Sequence, residues 1–169
     1  SQYTLSLHDA LPICADQYGE NLTVRHCFFD EDLDIGIELA YSWYPDIHDN
    51  VFEDCESYGI FSDTESVVEA RIMRNHFHDC VDAAISIADA RECLIAENWI
   101  FNGVAQGGAA ATNTMIHLGG GSENIVCHNV MSCELGAAAG AYDDCCEATA
   151  TDAWIHNYLL DGVTTGNPA

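Results

Sequence analysis

A six-residue motif, apolar-x-x-Asn-x-apolar, returns at regular intervals along this chain and limits what it can fold into more than any other feature. It reads Ile47-His48-Asp49-Asn50-Val51-Phe52, Ile72-Met73-Arg74-Asn75-His76-Phe77 and Ile95-Ala96-Glu97-Asn98-Trp99-Ile100. It recurs as Val126-Cys127-His128-Asn129-Val130-Met131 and Trp154-Ile155-His156-Asn157-Tyr158-Leu159. Thr23-Val24-Arg25-His26-Cys27-Phe28 reads as an earlier copy with His at the anchor. The anchors then stand at 26, 50, 75, 98, 129 and 157, separated by 24, 25, 23, 31 and 28 residues. A period of this size marks a stacked repeat, in which each unit buries its apolar face only against its neighbours.

The residues choose among stacked folds. Leucine-rich repeats share the period, but their Leu-x-x-Leu-x-Leu-x-x-Asn pattern is absent. Val, Ile, Phe and Tyr flank the anchors instead, which favours strands, and no long stretch has helical periodicity. Three short strands and three bends fit a turn of this length. Two columns should therefore point inward: Phe28, Phe52, Phe77, Ile100, Met131 and Leu159 two residues after the anchor, and Thr23, Ile47, Ile72, Ile95, Val126 and Trp154 three before it. Stacked at ~4.8 Å, each column becomes a strip of core. The residue before the anchor reads Arg25, Asp49, Arg74, Glu97, His128 and His156, and its first four members alternate in sign, as neighbouring rungs should. Asn tolerates the left-handed backbone region and is expected to carry it at this bend, with the side chains bonded up and down the stack.

With Asn50-x-Phe52 followed by Gly59-Ile60, the coils resemble the right-handed parallel β-helix repeat family, in the broad pectin-lyase-like group. The resemblance covers roughly residues 20 to 163 and implies an all-β, right-handed, single-stranded parallel β-helix of about six coils. That fold carries lyases, hydrolases, epimerases, phage tail spikes and adhesins, so it does not by itself specify an activity. Polygalacturonase-like Asn-Thr-Asp, Asp-Asp, Gly-His-Gly and Arg-Ile-Lys motifs are missing, as is the Asp-Pro-His-Asp motif of alginate epimerases.

Residues 4–13, TLSLHDALPI, resemble a common sequencing adapter translated in one frame. Residues 1–14 are therefore expected to be unstructured and are set aside, with His8 and Asp9. Residues 15–169 are expected to be a β-helix fragment, open at both ends, with longer Ala- and Gly-rich bends near 103–121 and 135–151. The remaining coils or domains of a full-length protein would then be its first partners.

Charge narrows the other partners. Twenty-eight acidic residues stand against four basic ones, a net charge of −24. Such a surface repels phosphate backbones, so no nucleic-acid partner is expected. No apolar run reaches the ~18 residues needed to insert in a bilayer. Cationic or neutral partners remain, polysaccharide among them.

Four residues after the anchors lie Asp30, Asp54 and Asp79, a stack of carboxylates that would suit Ca²⁺ as a candidate ion. His76 and His78 flank Phe77 on one strand and should share a side, with Asp79 beside them. Such a His-x-His pair can bind a transition metal given a third and fourth ligand, which the sequence does not supply. His128 and His156 should stack. Cys55 and Cys80 share a phase and read as buried thiols. Trp43 and Tyr44, in the cluster Tyr41-Ser42-Trp43-Tyr44-Pro45, are candidates to stack on sugar rings. Lyase chemistry would need a base, which Arg71 or Arg74 could supply beside Asp79. No complete catalytic motif is present. The leading expectation is a glycan-contacting surface module of an extracellular, cell-surface or phage-tail protein. A polysaccharide lyase or glycoside hydrolase is the alternative, and a structural spacer the third reading.

Overall fold

The computed structural model describes residues 13–15, 20–30, 33–102, 114–133, 146–147 and 151–159. These form strands and bends, with no helix among the described residues. Every strand pairing is parallel, and three sheets run along one stack. The first sheet holds Ile13–Ala15, Ile35–Leu39, Tyr58–Val68, Ala83–Arg91, Thr114–Leu118 and Cys146–Glu147. The second holds Thr23–Arg25, Asp46–His48, Arg71–Met73, Leu94–Ala96, Ile125–Cys127 and Ala153–Ile155. The third holds Phe28–Phe29, Val51–Glu53, His76–His78, Trp99–Asn102, Val130–Cys133 and Tyr158–Leu159. About four turns are described around all three sides, against about six coils expected; of the outer turns the described residues give only part. Ile13 and Cys14, inside the segment expected to be unstructured, pair with Ile37 and Glu38. Most of both expected long bends, at 103–113 and 134–145, lies outside the described residues, as does Cys145.

The inward columns form as expected from the second coil onward. Ile47, Ile72, Ile95 and Val126 are fully buried in the second sheet, and Phe52, Phe77, Ile100 and Met131 in the third. The first coil is shifted by one residue. Val24 pairs with Ile47 and Phe29 with Phe52, so the core takes Val24 and Phe29 rather than Thr23 and Phe28. The anchor there is Cys27, not His26. Its backbone N–H donates to Asn50 Oδ1 at 3.0 Å, the bond that the N–H groups of Asn50, Asn75, Asn98 and Asn129 each make to the next Asn. A small buried thiol fills the position, and Arg25 consequently faces His48 instead of heading the alternating charge column.

Between the second and third sheets the asparagines form a continuous ladder. Asn75 Oδ1 accepts from the N–H and the Nδ2 of Asn50, while Asn75 Nδ2 donates to Ile47 O at 2.9 Å and to Asn98 Oδ1. Asn98 repeats this with Asn129 and Ile72 O, and Asn129 with Asn157 and Ile95 O. The ladder satisfies backbone groups at a corner where strand pairing cannot reach them. The left-handed conformation falls one residue earlier than expected. His26, Asp49, Arg74, Glu97, His128 and His156 carry φ between 52° and 58°, while the asparagines do not. Asn is selected here for its paired donor and acceptor, not for its backbone tolerance. A second, shorter ladder at another corner joins Cys93 N–H to Asn124 Oδ1, and Asn124 N–H and Nδ2 to Asp152 Oδ1.

The Gly-Ile pattern has a packing cause. Phe29, Phe52 and Phe77 stack face to face, with centroids 4.6 and 4.7 Å apart. A Cβ on Gly36 would stand 2.8 Å from the Phe52 ring, and one on Gly59 2.7 Å from the Phe77 ring. Ala84 occupies the corresponding place in the next turn, where the Phe column has given way to Ile100. Cys55 and Cys80 are both buried, and the hydrogen bond between the thiols together with burial pushes Cys80 well above the ordinary thiol range.

The alternating column survives at Asp49, Arg74 and Glu97. Arg74 Nε and Nη2 donate to the two Asp49 oxygens at 2.9 and 3.1 Å. That fork, and next the contact with His48, holds the Asp49 carboxyl down at about 2. A carboxyl depressed by folding stabilises the native state above its unfolded pKa and loses that contribution as pH falls through the folded one. The urea midpoint difference between the native chain and Arg74→Met should therefore be small but constant above about pH 5 and vanish toward pH 2. A difference that is still undiminished at pH 2 would show that the pair is not its source.

Candidate functional site

Period-2 alternation sets the outer face of the third sheet. With Phe77 and Ile100 inward, His76, His78, Trp99 and Phe101 must face out. Parallel register then aligns His76 with Trp99 and His78 with Phe101. The Trp99 and Phe101 rings stack at 5.5 Å and 25°, and the His76 ring meets them edge-on at 6.3 and 6.4 Å. Trp99 is 50% exposed, and Tyr158, across Val130 in the same column, 61%. The His76, Trp99 and Phe101 rings floor an open depression of ≈ 570 Å³, bounded on the bend side by Arg74 and Glu97. Sequence reasoning missed this shelf, although Ile100 in the inward column already implied outward neighbours at 99 and 101.

Carboxylates gather on the other side of the depression. Asp54, His78 and Asp79 each present a ligand-type atom, all within 4.8 Å of one another. His78 Nδ1 lies 3.5 Å from Asp79 Oδ2. The expected stack of Asp30, Asp54 and Asp79 is only partly assembled. Asp54 and Asp79 are neighbours, but the one-residue shift of the first coil puts exposed Asp30 immediately after Phe29, out of phase with them. His78 takes the third place, so an oxygen-only Ca²⁺ set is not what this corner presents.

Trp43 and Tyr44 are exposed, as is Tyr41, but at a different corner. Their rings meet edge to face, at 6.3 Å and 69°, with no flat shelf. Of the arginines considered as a base, Arg74 donates to both Asp49 oxygens and Arg71 Nη2 reaches Met73 Sδ at 3.9 Å. His128 and His156 are neighbours along the stack, with ring centroids 5.5 Å apart, but the rings are tilted by 53° rather than stacked. No helix among the described residues is long and apolar enough to cross a membrane.

The fold and this outer face define a right-handed parallel β-helix module. The sequence model of the family described as "Right handed beta helix region" matches residues 5–100, and the chain belongs to that family. The match begins inside the adapter-like segment. No curated protein matches the chain.

Proposed function

We propose that the chain is a glycan-contacting surface module, of an extracellular, cell-surface or phage-tail protein, which uses the Trp99–Phe101 shelf. The observation that carries this reading is a half-exposed tryptophan stacked on a second aromatic ring at the floor of an open depression. Apolar ring faces suit the C–H faces of sugars, and strands hold them more rigidly than loops would. The surrounding charge favours neutral or cationic sugars over polyuronates, because the chain carries a net −24 and the bordering Arg74 is already paired. An exposed aromatic shelf also argues against a pure spacer.

Titration calorimetry with neutral, amino-sugar and uronic oligosaccharides tests the reading. Trp99→Ala should weaken binding about tenfold, ~1.4 kcal/mol, while Trp43→Ala leaves it unchanged. Absence of binding by every class, or equal binding by Trp99→Ala, would refute it. A hydrolase or lyase is a second reading, favoured by Asp54 and Asp79 beside the shelf. Release of new reducing ends from a polymer would establish it.

A further inference from the structure

We infer that Asp54, His78 and Asp79 form a site for a divalent transition-metal ion of the zinc class, with the imidazole deciding the choice of metal. The three groups come from two successive turns and are held in place by the stack itself. Asp54 N–H donates to His78 O at 2.9 Å, and Asp79 N–H to Phe101 O at 2.7 Å. Their ligand atoms already converge within 4.8 Å. The 3.5 Å between His78 Nδ1 and Asp79 Oδ2 is close to the edge of a tetrahedron with ligands at 2.0–2.1 Å, about 3.3 Å.

Chemistry separates this site from a calcium site. Calcium takes six to eight oxygens, whereas here one of three protein ligands is an aromatic nitrogen. Imidazole with carboxylate suits zinc and its neighbours. Two carboxylates on adjacent rungs repel each other, and a dication between them relieves that repulsion. Three protein ligands leave a coordination position for water or a bound molecule. Because His78 also lines the aromatic depression, the ion lies at its rim. The site does not depend on the depression taking a glycan.

The test uses the whole chain, with Zn²⁺ and Ca²⁺ in separate calorimetric titrations and Co²⁺ as a spectroscopic probe. One equivalent of Zn²⁺ should bind more tightly than Ca²⁺. Its affinity should fall at least about tenfold in His78→Asn and in Asp54→Asn, and stay unchanged in Asp63→Asn, an exposed carboxylate on another sheet. All three variants should keep the native far-ultraviolet circular dichroism, since none of these side chains is buried. Bound Co²⁺ should show visible d–d absorption without a thiolate charge-transfer band. Equal Zn²⁺ affinity in His78→Asn, tighter binding of Ca²⁺ than Zn²⁺, or a thiolate band on Co²⁺ overturns the assignment.

Discussion

Asn75→Ala is expected to destabilise the fold by about 3–5 kcal/mol, read as a lowered urea midpoint with an unchanged slope. The truncation strands the Asn50 N–H, which loses its acceptor, and the Ile47 carbonyl, which loses the Nδ2 donor. Each such buried group costs about 1–3 kcal/mol, and the Asn50 and Asn98 side chains lose a partner as well. Asn75→Asp should be nearly as damaging, because it keeps the acceptor but removes the donor and buries a charge. A loss below about 1 kcal/mol in Asn75→Ala would mean that water or backbone movement satisfies the corner.

Phe52→Ala should cost about 3–5 kcal/mol, the usual range for emptying a buried aromatic site. Its ring is fully buried between those of Phe29 and Phe77, so neither neighbour can fill the space without abandoning its own stack. The first coil supplies an internal comparison. Phe29→Ala should approach the Phe52 value, whereas half-buried Phe28 should cost clearly less on truncation. The reverse order, measured by thermal or urea unfolding, would restore the register in which Phe28 points inward.

These two sites also mark what the sequence could and could not reveal. From Asn50 onward the fold was legible, because a buried Asn that must bond its own copies above and below leaves an exact imprint at every turn. At the first coil that imprint is missing: the anchor is Cys27, whose N–H meets Asn50 Oδ1 and whose thiol meets the Arg25 carbonyl, so no Asn marks the place and His26 reads as the anchor. The same one-residue shift moves Asp30 out of phase with Asp54 and Asp79. The Asn124–Asp152 ladder spans too few rungs to register as a repeat. The left-handed position is not legible from residue type, because the backbone accepts Asp, Arg, Glu and His there while the Asn that follows is selected for its side-chain bonds. Trp99 and Phe101 follow from alternation alone, because Ile100 between them points inward.

Through-hydrogen-bond scalar couplings on isotopically labelled protein test the stacking itself. The fold predicts couplings from the Trp99 amide nitrogen to the Asn75 carbonyl carbon, from His76 to Asn50, and from Val51 to Cys27, matching bonds of 2.9, 2.8 and 3.0 Å. Couplings from these amides to carbonyls four residues earlier, or to partners one residue off this register, would contradict a β-helix built on the Asn ladder.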